Sequence, residues 1–127
     1  MSLNYMMIGT NDLARARVFY DAVLPVLGGV IDADYAGMTF CYKLPGEQRV
    51  WVARPHDKAA ATPGNGLMIG FGAATSEIVG AAHAAALANG GTNEGDPGPR
   101  PQYGPNFYGA YARDPDGNKM SFIVSPA

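Results

Sequence analysis

The sequence predicts an α+β fold in which two β-α-β-β-β modules form a curled mixed sheet around a cleft. Each half of the chain contains one apolar run, one helical pattern and three more short apolar runs. A Gly-Gly pair ends the helical pattern in each half, at residues 28–29 and 90–91, about half the chain apart. A repeat this long is not a solenoid period, so it indicates two copies of one supersecondary unit. We therefore predict a single domain over residues 1–127, with module 1 over about 1–55 and module 2 over about 66–127.

The first module begins with the apolar run "LNYMMIG", which predicts a strand. "TND" follows, and we expect Thr10 or Asn11 to cap a helix that has Asp12 in its first turn. Apolar residues then recur at helical spacing: Leu13, Ala16, Phe19, Tyr20, Val23, Leu24 and Leu27. The runs "VIDADY", "MTFCYKL" and "RVWVARP" are separated by turn residues and predict three strands.

The second module begins with "GLMIGFGA", which predicts a strand over residues 66–73. Thr75 or Ser76 can cap the second helix. Its predicted buried face consists of small residues: Ile78, Ala81, Ala82, Ala85 and Ala86. "TNEGDPGPR", "NFYGAYAR" and "KMSFIV" predict three further strands, while the proline-rich stretch 95–107 is expected to be a stiff loop.

Composition limits the classes of partner. Hydrophobic residues make up 47% and charged residues 16%, with a net charge of −2, so nothing favours nucleic acid or an anionic membrane surface. No apolar run approaches the roughly 20 residues that a membrane span needs. The single cysteine, Cys41, excludes an internal disulfide. We expect it to be a small buried hydrophobe, and we expect a cytoplasmic location.

Three motifs carry a family resemblance across nearly the whole chain: "NDLARARVFYDAVLPVLGG" after the first strand, "GNGLMIGF" opening the second module, and "DPDGNKMSF" leading into the last strand. With these motifs the chain resembles the vicinal oxygen chelate superfamily. That superfamily includes glyoxalase I, bleomycin and fosfomycin resistance proteins and extradiol dioxygenases. The resemblance implies paired modules around a cleft, often in a homodimer, for which unpaired sheet edges give a physical motive.

The resemblance also places the metal ligands of the metal-using members at Tyr5, Met68 and Ser121. Tyrosine is a poor ligand unless it is ionised, methionine is soft and serine is weak, so all three depart from the pattern. We therefore predict no catalytic metal, assign no other cofactor and assign no catalytic residue. His56, in a predicted loop, and His83, in the second helix, are not spaced as a chelating pair, and we expect structural or surface roles for them.

Alternate strand residues point to the same face of a sheet, which selects candidates for the cleft. We favour Phe107 and Tyr111 on the cleft side, with the alternative register that places Ala110 there left open. Trp51 fits either the cleft or the core. In the superfamily's layout the proline-rich loop lies near the cleft mouth, so Arg100 either pairs with an anionic ligand group or is solvated. The predicted ligand-binding residues are Tyr5, Met7, Trp51, Met68, Gly70, Phe107, Tyr111, Ser121 and Arg100.

These residues favour a protein that binds a small apolar or aromatic molecule in its cleft without a catalytic metal. One alternative is a glyoxalase-like lyase or dioxygenase-type enzyme that is metal-free or uses a relocated metal. Another is an interaction domain whose cleft is vestigial. We expect a small-molecule ligand and a homodimer, with neither nucleic acid nor membrane as a partner.

Overall fold

The structure is a computed structural model that describes residues 2–124. The first module contains β1 (Tyr5–Gly9), α1 (Leu13–Val23), a 3-10 turn (Leu24–Leu27), β2 (Val30–Tyr35), β3 (Thr39–Lys43) and β4 (Arg49–Ala53). The second module contains β5 (Ile69–Gly72), α2 (Ser76–Ala88), β6 (Thr92–Pro99), a 3-10 turn (Pro101–Tyr103), β7 (Tyr108–Arg113) and β8 (Lys119–Val124). The predicted order of strands and helices is therefore confirmed in both halves. Among these residues, no helix is both long enough and apolar enough to cross a bilayer.

The strands form two four-stranded mixed sheets of identical topology. The first sheet has the order β1-β4-β3-β2 and the second β5-β8-β7-β6. In each sheet the first strand pairs in parallel with the last strand of its module, and the other pairs are antiparallel. The paired-module α+β fold is thus confirmed. Within residues 2–124, however, no hydrogen-bonded ladder joins the two sheets, so they do not close into one curled sheet.

Both helices pack into one core shared by the two modules. Each helix covers one face of its own sheet, and α1 also contacts α2. In β7, Ala110 and Ala112 are fully buried on the side where α2 packs. The register that places Phe107 and Tyr111 on the outer face is therefore the correct one, and the alternative with Ala110 there is wrong. The outer faces of both sheets point away from the helices.

Helix α1 is capped by a different residue from the ones predicted. Asp12 is the N-cap, and its carboxylate accepts a hydrogen bond from the backbone N–H of Arg15 at 3.0 Å. The predicted caps Thr10 and Asn11, and the placement of Asp12 inside the first turn, are wrong. The Thr10 hydroxyl donates to the Asp116 carboxylate and accepts from the N–H of Asp12 at 3.1 Å, which lies before the first residue of the helix. The bond to Asp116 joins residues far apart in the sequence and is not visible in local pattern.

Helix α2 is capped by Thr75, one of the two predicted residues, whose hydroxyl accepts from the N–H of Ile78 at 3.2 Å. The buried side of the helix is rotated relative to the predicted face. It contains Val79, Ala82, His83 and Ala86. The pattern misplaced this face because it counted only apolar side chains and so left out His83, for which the structural one of the two expected roles is correct. His83 is buried, and its ring Nε2 lies 3.0 Å from Oδ1 of Asn93.

The glycine pairs that follow the helices have the predicted role. Gly28 and Gly90 have φ of +87° and +98°, in the left-handed region that L side chains rarely adopt. Each therefore allows the chain to leave the helix and turn back into the next strand.

The stretch 95–107, predicted as a loop, is partly a strand. Strand β6 extends to Pro99 and pairs with β7, with register shifts between Asn93 and Gly95 and between Gly95 and Gly98. An edge strand with bulges can hold prolines because their missing N–H groups need not join a ladder. The strand predicted from "TNEGDPGPR" is therefore confirmed up to Pro99. The loop prediction is wrong for residues 95–99, where proline and glycine content indicated a turn and an irregular edge strand forms.

The "DPDGN" turn between β7 and β8 is built on the carboxylate of Asp114. Its Oδ1 accepts from the N–H groups of Asp116 and Asn118, both at 2.9 Å, which closes the turn. Its Oδ2 accepts from the hydroxyl of Tyr20 on α1 at 2.6 Å. The Asn118 amide also donates to the carbonyl oxygen of Gly9 at 3.0 Å. The turn of the second module is therefore bonded to both β1 and α1 of the first.

Asp116 makes the second set of contacts between the modules. Its carboxylate accepts from the hydroxyl of Thr10 at 2.5 Å, from the N–H of Asn11 at 2.9 Å and from the guanidinium of Arg15 at 2.8 Å. The Asp116 side chain is only 3% exposed. A buried carboxylate is stable only when it is paired and hydrogen-bonded in this way.

Asp116→Ala should lower the free energy of unfolding by about 2–4 kcal/mol, because three donors at the module junction lose a charged acceptor. Urea denaturation monitored by circular dichroism would measure this change. The matched control is Asp57→Ala in an exposed loop, where the carboxylate accepts only from the N–H of Ala59. That control should cost about 0.5 kcal/mol or less. Equal losses in the two variants would contradict the junction role.

Tyr20→Phe tests the buried hydroxyl. Burial, together with the neighbouring Asp114 carboxylate, raises the pKa of Tyr20 well above its ordinary value of 10. The stability that this tyrosine contributes is therefore fully present below pH 10 and is lost above it, since the unfolded chain releases the proton first. We expect the substitution to cost about 1–2 kcal/mol at pH 7.

At pH 11 the difference between the wild-type protein and Tyr20→Phe should shrink by about 1.4 kcal/mol, because phenylalanine has no proton to release. Urea denaturation at both pH values would measure it. A difference that stays constant between pH 7 and pH 11 would show that the raised pKa is wrong.

Candidate functional site

A cavity of about 680 Å³ opens on the outer face of the second sheet. Its walls contain three aromatic side chains, Tyr103, Phe107 and Tyr111, together with Met68. Tyr103 and Phe107 pack edge to face, with ring centroids 5.4 Å apart. An apolar concave surface of this size is typical of small-molecule sites.

Strand register and a neighbouring glycine position the ring of Tyr111. Tyr111 pairs with Ser121 on β8 and with Gly95 on β6, so the three lie in one row on the outer face. A Cβ atom on Gly95 would lie 2.9 Å from Cδ1 of Tyr111. Glycine at this position therefore leaves the space that the tyrosine ring occupies. Gly70 makes similar room for Ser121, whose Oγ would lie 3.2 Å from a Cβ there.

Two cations flank the same ring. The Arg100 guanidinium carbon lies 5.5 Å and the Lys119 Nζ 5.9 Å from the centroid of Tyr111. Arg100 is held in place by donating to the backbone oxygens of Asp96 at 2.7 Å and Gly98 at 2.9 Å. The cavity wall therefore combines aromatic faces with fixed positive charge.

One carboxylate also lines the cavity. Glu94 is engaged by Arg113, whose guanidinium Nε lies 3.1 Å from its Oε1. Gln102 adds a neutral amide to the wall. The arrangement can hold a flat apolar body and can offer it polar contacts at the rim.

The structure brings four of the predicted ligand-binding residues together in this cavity: Met68, Arg100, Phe107 and Tyr111. A fifth, Met7, lines a separate cavity of about 150 Å³ where β1 approaches β5, with Ile69 opposite and Lys119 beside it. Lys119 also lines a third cavity of about 440 Å³ beside Met68. One lysine is therefore common to three neighbouring cavities.

The other predicted residues lie outside the large cavity. Tyr5 is on β1 and 52% exposed, and Trp51 on β4 stacks on Tyr35 with centroids 6.5 Å apart. Gly70 lies on the edge strand β5, and Ser121 beside it is only 3% exposed. No hydrogen-bonded ladder joins the sheets within residues 2–124, and a pocket shared by Tyr5, Met68, Phe107 and Ser121 stays a prediction.

Sequence reasoning left out part of the wall. Lys119 and Tyr103 were not among the predicted ligand-binding residues, yet both line the large cavity. The alternation that selected Ser121 places Lys119 on the same face of β8, so that signal was present. Tyr103 had no comparable signal because it lies in a 3-10 turn, where no strand period applies.

The residues present do not fit the divalent metal that the family resemblance implies at Tyr5, Met68 and Ser121. A phenol, a thioether and a hydroxyl are weak donors, and the three lie on separate elements. Over residues 2–124, no group of three or more histidine, cysteine or acidic side chains is arranged to hold a metal ion. Of the two histidines, His56 is exposed in a turn and His83 is used in the core. Cys41 is buried, as expected.

Sequence and structure comparisons agree on the family. The sequence model of the Glyoxalase/Bleomycin resistance protein/Dioxygenase superfamily matches residues 2–122. The chain belongs to this superfamily. Comparison with curated protein sequences finds no significant match.

Several crystal structures share the fold of this superfamily member. A glyoxalase/bleomycin resistance protein from Albidiferax ferrireducens T118 is 38% identical over 98% of this chain and 100% of its own, with a TM-score of 0.89. An enzyme of the same family from Burkholderia phytofirmans PsJN is 22% identical over 98% of each chain, with a TM-score of 0.75. A lactoylglutathione lyase from Agrobacterium tumefaciens is 20% identical over 98% of this chain and 93% of its own, with a TM-score of 0.68. The last two likenesses show the fold alone.

Proposed function

We propose that this superfamily member binds a small, flat, apolar or aromatic molecule in the large cavity of the second sheet, without a catalytic metal. The observation that carries the proposal is the clustering of Tyr103, Phe107 and Tyr111 around about 680 Å³ of open space. Aromatic rings supply large contact area with few rotatable bonds, which suits the recognition of a flat ligand. The donor chemistry at Tyr5, Met68 and Ser121 supports the metal-free part.

Lyase or dioxygenase chemistry has weaker support. The likeness to a lactoylglutathione lyase is at 20% identity and concerns the fold. Across residues 2–124, no buried acid and base face each other in the large cavity, whose ionisable wall residues are Glu94, Arg100, Tyr103, Tyr111 and Lys119. The 38% identical relative is described as a glyoxalase/bleomycin resistance protein, and a binding role fits the second half of that description.

We also propose that the chain forms a homodimer. Large apolar side chains are exposed on and around the first sheet: Tyr5, Met7, Val30, Ile31, Tyr35 and Met38. Exposed apolar surface of this extent, beside the unpaired edges of β1 and β2, favours association with a second copy. The free, buried Cys41 fits a reducing compartment such as the cytoplasm, which cell fractionation would test.

Ligand binding is tested with 2-naphthalenemethanol, a flat neutral probe, by isothermal titration calorimetry on the full chain. Tyr111→Ala and Phe107→Ala should each weaken its binding by about tenfold, the loss expected for one aromatic contact. Tyr35→Ala is the matched control, since it removes an aromatic ring from the first sheet, and it should leave the affinity unchanged. Undetectable binding to the wild-type protein, or equal losses in all three variants, would contradict the proposal.

The homodimer is tested by light scattering coupled to size-exclusion chromatography. The mass should be close to twice the 13.3 kDa of one chain. Met7→Glu should shift the protein towards the monomer, because it places a charge among the exposed apolar side chains. A monomeric wild-type protein at 100 μM would show that the surface has another role.

A further inference from the structure

The charge on the wall of the large cavity is unbalanced. The guanidinium carbon of Arg100 and the Nζ atom of Lys119 both lie over the aromatic ring of Tyr111, at 5.5 and 5.9 Å from its centroid. The ring attracts both cations through cation–π interaction, but it carries no net charge and so does not neutralise them.

No carboxylate of the protein neutralises these cations. Among residues 2–124, neither Arg100 nor Lys119 has an acidic partner within ion-pair distance. The acceptors of Arg100 are the neutral backbone oxygens of Asp96, Gly98 and Pro99. These bonds fix the guanidinium in position and leave its charge uncompensated.

The two acidic side chains nearest to Arg100 in the sequence, Glu94 and Asp96, are already engaged. The carboxylate of Glu94 pairs with Arg113 at 3.1 Å. That of Asp96 accepts from the side-chain amide of Asn93 at 2.8 Å. The positive charge beside Tyr111 is therefore available to a molecule that enters the cavity.

From these contacts we propose that the ligand is an aromatic or similarly flat apolar molecule that carries an anionic group such as a carboxylate. The anionic group pairs with Arg100 and Lys119, and the flat body lies against Phe107, Tyr111 and Tyr103. A guanidinium presents a planar fork that matches a carboxylate, and an ammonium adds a point charge. This inference rests on the proposed function, since it defines the class of ligand for the same cavity.

The experiment compares three probes of nearly equal shape by calorimetry on the full chain: 2-naphthoate, neutral 2-naphthalenemethanol and cationic 2-naphthylmethylamine. The naphthoate should bind about tenfold tighter than the alcohol, because each partly exposed ion pair is worth up to about fivefold. The amine should bind most weakly. Raising the salt concentration should reduce the preference for the naphthoate and leave the alcohol unaffected.

Lys119→Gln removes one cation from the cavity wall, and within residues 2–124 this lysine forms no ion pair that the substitution would break. It should reduce the preference for the naphthoate over the alcohol by about fivefold. Arg100→Lys keeps the charge and should retain most of the preference, whereas Arg100→Gln should lose it. Arg54→Gln is the matched control, since it removes an exposed charge that lines no part of the cavity. This variant should prefer the naphthoate over the alcohol by the same factor as the wild-type protein.

The outcomes separate the two proposals. Three results would each show that the ligand is not anionic, while ligand binding itself would still stand. They are equal affinities for the naphthoate and the alcohol, tighter binding of the amine, and an unchanged preference in Lys119→Gln. Failure of all three probes to bind would overturn both proposals together.

Discussion

The structure depends on two carboxylates in one turn. One oxygen of the Asp114 carboxylate closes the turn before β8, and the other accepts from Tyr20 of the first module. The Asp116 carboxylate accepts from Thr10 and Asn11. The first turn of α1 and the end of β1 are thereby fixed against the second sheet. Without these bonds the two modules would be joined mainly by apolar contacts, which are strong but carry little directional information. The turn thus determines how two similar halves are placed relative to each other.

That placement decides which surfaces remain for function. Because α1 and α2 pack into one core, the outer face of each sheet is left without a covering helix. The two outer faces differ in character. The first sheet presents Tyr35 stacked on Trp51, while the second presents Tyr111 between two cations. The two halves of a duplicated fold thus present outer faces of different character, one with stacked aromatic rings and one with a ring beside two cations.

Local chemistry made much of the fold predictable from sequence. Apolar periodicity identified both helices and every strand except β6, whose residues are polar, glycine or proline. The paired glycines marked where each helix ends. Thr75 was a predictable cap, but Asp12 was not, because Thr10, Asn11 and Asp12 are all residue types that cap helices. The same limit applies to the site. The alternation of side chains along a strand gave the correct face for Phe107 and Tyr111. No local pattern tells whether two sheets join, however, and the prediction that Tyr5 lies beside residues of the second sheet rested on their joining.

The absence of a side chain at Gly95 has a consequence for how this cavity can change. The ring of Tyr111 occupies space that any Cβ at Gly95 would enter, at 2.9 Å from the ring. Position 95 lies on the edge strand β6, away from the shared core, so its size affects the wall and not the packing of the helices. Exchange of this one residue would therefore change the shape of the cavity wall and leave the architecture of the two modules constant. At this position the shape of the cavity is separable from the packing that holds the fold together.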